Sequence, residues 1–514
     1  MIDWMEGYTS DIEYTAGYYK ELSPKFLNMC AVAANVEPID ETKSFKYLEL
    51  GCGHGLSLLV NAAIYPNATF YGVDYNPEHI AHARAIAKEA NLTNIYFYEN
   101  SFQEIVDTPE FLPEFEYIVF HGIYTWVNDE NRDNLVKICK RHLLSGGMVY
   151  NSYNTKPGWL TTEPIQQLIL RLSNEHIGNS IEKIEKIIKQ LEDLKNIDMG
   201  YFKTFVSDID FRLNKMNTES KNYTVHEYMH EKWKAFYFPE VCEDMEKAKL
   251  NFLCVADISE AYLNDVLPEN LSKKILDLKD YKNIELIKDL SFNRAFRRDL
   301  YVRGRRKKLS NAEKIIWFSQ GEWIVLNKNI PENFEFNLIM GKVHADTQMY
   351  KTILELFVQH THISTNKLVE LTGFSLSNVV QALILLFDHG YISTYEKYKN
   401  KVNDLNKIIT KNMFTENAFK YICFPNGKFA KKFDTVTMAF LRACYDGFNT
   451  KDKIVNHVYN LFSSRGVALV KDGKQLMGED MLQRLYELEE DWRKNVYSHW
   501  IELGLEFSSG KKRK

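Results

Sequence analysis

Three groups of residues in this 514-residue chain have the types and spacing to do chemistry. The first is the run ELGCGHG, with Gly51, Gly53 and Gly55 alternating, and Asp74 follows Gly55 by 19 residues. Glycines so placed let a backbone turn sharply and approach a ligand, and a carboxylate at a strand end can accept both hydrogen bonds of a ribose diol. The second is HGIYTWV at 121–127, where Tyr124 and Trp126 could wall a channel for an aliphatic stem and tolerate an ammonium by cation–π contact. The alternative for Trp126 is an ordinary buried aromatic. Asn151, Tyr153 and Asn154 have the same standing further along. The third is HEYMH at 226–230, which matches the zinc-protease pattern of two His one turn apart with a Glu as base.

The surrounding sequence says what must position them. Residues 47–50 read as a buried parallel strand, 56–64 as a helix and 69–73 as a second strand, so the glycine run is a strand-to-helix turn. Further strands are expected at 94–98, 117–120 and 148–152, with a helix at 130–143 and a turn at Ser145, Gly146 and Gly147. Ligands of open α/β sheets bind outside the carboxyl ends of the strands, which gathers Gly51, Asp74, Ser101, His121 and Asn151 around one crevice.

Glycine spacing separates two ligands. A dinucleotide fold needs GxGxxG, whereas this chain has ExGxGxG, which resembles motif I of class I S-adenosylmethionine methyltransferases. The resemblance implies an α/β, Rossmann-like core with a seven-stranded sheet and S-adenosyl-L-methionine as cofactor. It implies cofactor contacts from Glu49, Gly51, Gly53, Gly55, Asp74, Tyr75, Ser101, Phe102, His121 and Gly122. Ser101 stands where most of these enzymes carry an acid for the adenine, which leaves that recognition to backbone and Phe102. Tyr14 and Tyr18 are expected to cover the cofactor, and Tyr124, Trp126, Asn151 and Tyr153 to serve catalysis. No metal is expected.

More particular segments are GYTSDIEYTAGYYKELSPKFL near the N-terminus, SYNTKPGW at 152–159, HEYMHEKWKAFYFPEV at 226–241 and FRRDLYVRG at 296–304. Together they resemble the rickettsial-type protein-lysine methyltransferases of outer-membrane proteins, with their methyltransferase regulatory segment. In that family the HEY element does not fix a second His, which sets the HEYMH match aside as a zinc site. The implied organisation is a first part of the cofactor-binding core at 1–160, a helical insertion at 161–225, core completion and regulatory segment at 226–305, a middle domain with a winged-helix-like unit at 306–400, and a helical C-terminal domain at 401–514. The core is completed by a helix at 239–250, a strand at 251–258 and an antiparallel strand at 299–303. Within the insertion, Ile181, Ile184, Ile187, Ile188, Leu191 and Leu194 recur three and four apart. Such a stripe either packs within the chain or makes a homodimer contact. Residues 315–327 suggest a small strand pair.

Composition limits the partners. The chain is 45% hydrophobic and 26% charged, with a formal charge of -5, so nothing global favours nucleic acid. The would-be recognition helix SLSNVVQALILLFDH has no Lys or Arg for phosphates, which favours protein docking over DNA. No apolar run reaches the roughly 18 residues of a membrane span, and the start lacks a basic and apolar leader. The seven scattered cysteines, without a CxxC pair, fit reduced thiols and a cytoplasmic location. The function implied is methyl transfer to lysine of a protein substrate. The rivals are methylation of a small molecule and a non-catalytic, cofactor-sensing adaptor.

Overall fold

A computed structural model describes residues 17–197, 199–263, 267–275, 277–397 and 401–507. Its centre is a seven-stranded sheet: β1 (Lys46–Leu50), β2 (Thr69–Asp74), β3 (Ile95–Glu99), β4 (Phe115–Phe120), β5 (Leu143–Asn154), β6 (Leu250–Val255) and β7 (Phe296–Arg303). The order is β3-β2-β1-β4-β5-β7-β6, with β7 antiparallel to both neighbours. β1 and β4 are nearly continuous apolar runs, as strands covered on both faces must be. The turn expected at Ser145–Gly147 is instead a bulge within β5, where the register with β4 shifts between Phe115 and Tyr117.

The helices of this half are α1 (Pro24–Ala33), α2 (Leu56–Ile64), α3 (Pro77–Glu89), α4 (Phe102–Asp107), α5 (Asp129–His142), α6 (Glu163–Ser173), α7 (Ser180–Asn196), α8 (Gly200–Thr204), α9 (Val206–Thr218), α10 (Lys221–Tyr228), α11 (Phe238–Glu246), α12 (Ile258–Tyr262), α13 (Glu269–Ile275) and α14 (Tyr281–Phe292). The sheet separates two cores, one containing Tyr47, Val119, Tyr150 and Leu300, the other Leu48, Phe120, Val149, Tyr153 and Tyr301. Alternation along each strand assigns its residues to one or the other.

The insertion runs from α6 to α10, so the boundary expected at 225/226 falls inside α10. Ile184, Ile187, Ile188 and Leu191 are buried in a third core together with Ile165, Ile209, Leu213 and Val225. The insertion's own helices cover these four positions of the stripe, while Ile181 and Leu194 at its ends are partly buried.

The strand pair expected at 315–327 is a helix, Asn311–Ser319, followed by one strand, β8 (Glu322–Val325). Its capping box, Ser310 with Glu313, starts a helix that apolar content alone does not announce. β8 pairs with the short strands Ile363–Ser364 and Ile392–Thr394, which frame helices 347–359, 365–372 and 376–388 in a winged-helix-like unit. The helix Leu376–Asp388 packs inward: Phe387 lies 6.1 Å from Phe26 of α1, and Asp388 pairs with Lys20. Beyond residue 401, helices and two hairpins form the last module, which touches the core through Phe419 on His82 of α3 at 5.1 Å. Among the described residues no helix is long and apolar enough to cross a membrane.

Candidate functional site

The glycine run leaves β1 at Leu50 and enters α2 at Leu56. Gly51, Gly53 and Gly55 all have φ between 53° and 73°. A Cβ on Gly51 would stand 2.3 Å from Ile123, and one on Gly55 would stand 2.6 Å from the Phe97 ring, so both glycines are demanded by packing. Gly53 meets nothing within 4 Å, so its Cβ side is the open one. Asp74 ends β2, accepting the N–H of Gly53 at 2.8 Å and that of Asn76 at 2.9 Å, and is therefore tied to the loop it was expected to accompany. His79 Nδ1 lies 3.4 Å from it. Behind it His54 packs on His79 and His82 at 4.4 and 5.0 Å, and burial, then the two neighbouring imidazoles, lower the pKa of His54 to about 3.

Glu49 is the informative neighbour. It is 6% exposed, and its Oε2 has no hydrogen bond. Burial, and then Asp74, raise its pKa to about 8. A buried carboxylate without a cation is costly, and the ammonium of an amino-acid moiety would relieve it. A ligand with an ammonium at one end and a ribose diol at the other therefore fits Glu49, the open side of Gly53, and Asp74.

Beyond the loop, His121 ends in a polar knot. Its Nδ1 lies 2.9 Å from the Tyr150 hydroxyl and 3.1 Å from Ser152 Oγ, while Gly122 N–H donates to the same Oγ at 2.8 Å. Burial, then Arg298, lower the His121 pKa to about 3, so the imidazole is neutral. Tyr19 lies over that ring at 4.1 Å, and Phe296 lies 6.2 Å from it.

Several expectations need correction. Tyr18 packs towards Tyr421 of the last module at 6.5 Å, and it is Tyr19 that covers the crevice. Tyr14 lies outside the described residues. Ser101 is the N-cap of α4: its oxygen accepts the N–H of Glu104, with Glu104 bonded back to the Ser101 N–H, which commits the side chain to the helix start. Phe102 and Tyr75 are half-buried beside it. Tyr124, Asn151 and Tyr153 do not reach the crevice. They are fully buried on the opposite side of the sheet, Tyr124 bonded to Asp244 at 2.6 Å and Tyr153 to Asp299 at 2.6 Å. Neither side-chain atom of Asn151 is hydrogen-bonded. Alternation is the reason: along β5, residues 150, 152 and 154 face His121, and 149, 151 and 153 face away. Trp126 remains half-buried, its Nε1 donating to the His226 carbonyl at 3.1 Å and its ring against the insertion core. His226 and His230 are buried at the end of α10, and among the described residues no three His, Cys, Asp or Glu side chains are placed to hold a metal.

Sequence reading missed Tyr19, Ser152 and Phe296. A period-two count along β5 from Tyr150 would have found Ser152; the two rings come from remote segments and carry no local signal.

This arrangement defines a class I methyltransferase fold and site. Residues 48–147 match the model of a methyltransferase domain, and residues 220–303 that of a predicted methyltransferase regulatory domain. An uncharacterized protein of Synechocystis, sll1526, is 31% identical over 98% of this chain and 99% of its own length. RP789 of Rickettsia prowazekii, also uncharacterized, is 26% identical over 93% of this chain and 90% of its own. Among solved structures, PKMT2 from Rickettsia typhi in complex with AdoHcy covers 94% of this chain and 99% of its own at 21% identity, with a TM-score of 0.71. The chain belongs to this family of class I methyltransferases with a regulatory domain, and it is an S-adenosylmethionine-dependent methyltransferase.

Proposed function

We propose that the chain transfers methyl groups to lysine side chains of a protein substrate, in keeping with its likeness to the rickettsial-type enzymes of outer-membrane proteins. The carrying observation is the ring-lined edge beside the glycine run: the rings of Tyr19 and Phe296 lie 4.1 and 6.2 Å from that of His121, and the half-buried Trp126 lies five residues on in the same loop. Rings of this kind take an aliphatic stem and a cationic amine together.

The cofactor supplies a methyl group on a sulfonium, already a good electrophile. Glu49 and Asp74 would hold its ammonium and ribose ends, and Gly53 would admit it to the backbone. The neutral imidazole of His121, fixed by Tyr150 and Ser152, offers no positive charge to repel the incoming amine. Tyr19, Phe296 and Trp126 would hold that amine in line and exclude water.

Incubation with radiolabelled cofactor and a bacterial lysate tests this reading. Label is expected in protein bands, at lysine after acid hydrolysis. Label in small molecules only, or none, rejects it in favour of metabolite methylation or of an adaptor.

A further inference from the structure

The carboxylate of HEYMH occupies a particular place. Glu227 lies in the last turn of α10 and is 8% exposed. Its Oε1 accepts one hydrogen bond, from Asn154 Nδ2 at 3.0 Å. Asn154 follows Ser152 by two residues on β5, so it projects from the His121 face about 7 Å further along the strand. It pairs across the sheet with Phe296, one of the rings around His121. Its own N–H is held by Thr125 Oγ1 at 2.8 Å, and next along the chain Trp126 holds the carbonyl of His226, the neighbour of Glu227. Strand end, β4 loop and α10 thus converge on one carboxylate.

That carboxylate keeps acceptor positions open. An ionised carboxylate has about four acceptor positions, and among the described residues it takes one amide and no ion pair. Arg212 and Lys215 of α9 act on it only through their fields; Tyr223 and Tyr228 of α10 complete its ionisable surroundings. Burial holds its pKa above the usual carboxylate range.

Resting on the amine-substrate reading, we propose that Glu227 binds the ammonium of the substrate lysine and takes its proton before transfer. The proton passes from Nζ to a Glu227 oxygen, which leaves a neutral amine and a carboxylic acid. The amine lone pair then forms the C–N bond, while the electron pair of the broken C–S bond stays on sulfur. The product leaves as a methylammonium, and Glu227 returns its proton to water. Its raised pKa suits a proton acceptor.

The test uses the full chain, S-adenosylmethionine, and two probes, poly-L-lysine and a bacterial outer-membrane extract, in single-turnover assays from pH 7 to pH 10. Glu227→Gln should cut transfer about 100-fold at pH 7.5 and leave S-adenosylhomocysteine affinity within about threefold. The deficit should shrink towards pH 10, where solvent leaves a rising share of the amine neutral, roughly a third for an ordinary lysine. Transfer equal to wild type, or the same loss at every pH, overturns the proposal. Should Glu227→Gln melt early, Asn154→Ala replaces it, with a smaller loss of the same pH shape expected and a flat profile overturning. Wild-type protein that labels lysine in neither probe removes the amine-substrate reading, and this proposal falls with it.

Discussion

On one side of β5, Tyr150 and Ser152 bind His121, and the rings of Tyr19 and Phe296 stand beside them at the sheet edge. On the other, Tyr153 and Tyr301 bind Asp299, which joins Asp289 and Glu285 around Arg297. Both sides combine tyrosine hydroxyls with ionisable groups, but they are built for different work. Around Arg297 the charges pair off: Nη1 meets Asp289 at 2.6 Å, Nη2 meets Glu285 at 3.0 Å, and the guanidinium lies 4.2 Å from the Phe238 ring. Around the glycine run, among the described residues, Glu49 Oε2 has no hydrogen-bond partner and no salt bridge is formed by Glu49. A buried network satisfied internally serves structure, whereas a buried charge left unpaired marks where a ligand completes it.

The largest expected effect breaks the satisfied side. Arg297→Met takes the guanidinium from three buried carboxylates and leaves Asp299 without a cation, while Asp289 keeps Arg294 and Glu285 keeps Lys288; it should cost about 3 to 5 kcal/mol in denaturant unfolding, while the folded fraction keeps its cofactor affinity. A stable Arg297→Met variant with weakened cofactor binding would reverse the roles assigned to the two sides.

Next comes Asp74→Ala. It unties Gly53 and would remove the two hydrogen bonds that a ribose diol held by Asp74 makes, so S-adenosylhomocysteine binding should weaken by about 2 to 4 kcal/mol in calorimetry. Unchanged affinity in a folded variant would remove the nucleoside assignment. Trp126→Ala should leave that affinity within about threefold and lower turnover about 100-fold, roughly 2.7 kcal/mol, because the nucleophile loses its alignment. If Trp126 is only a packing residue, melting temperature and activity fall together instead.

The smallest effect sharpens the comparison through pH. Glu49 has a folded pKa of about 8 against an ordinary value of 4.5. Folding of the cofactor-free protein therefore favours the protonated form. This contribution is complete below about pH 4.5 and is lost as pH rises through 8, with about 2 kcal/mol disappearing between pH 6 and 8. Melts across that range should show the loss, Glu49→Gln should flatten it, and bound S-adenosylhomocysteine should oppose it through its ammonium. A wild-type curve as flat as that of Glu49→Gln would mean that Glu49 carries no such strain.

The βα turn and its acid were legible because they are local. Gly51, Gly53, Gly55 and Asp74 fall within one βαβ unit, whose loop and strand end are fixed by short-range backbone geometry. The insertion stripe was legible as a stripe for the same reason, since helical periodicity needs no partner to be seen. What covers it was not: that takes α6, α9 and α10 folded back on α7. Tyr18 and Tyr19 differ by one position, and only the docking of the last module, with Tyr421 facing Tyr18, decides which ring reaches His121. Asn151 and Tyr153 lie as close in sequence to the end of β5 as Ser152 does, and strand parity turns them to the opposite face; Tyr124, four residues past β4, is carried into the opposite core by the course of its loop. The amino-acid order by itself determined the cofactor loop, the acid and the class of fold, because those depend on contacts a few residues apart. The tertiary structure alone decided which side chains face the crevice, because that depends on sheet face and on segments 100 or more residues apart, such as Phe296 beside His121 and Trp126 beside His226.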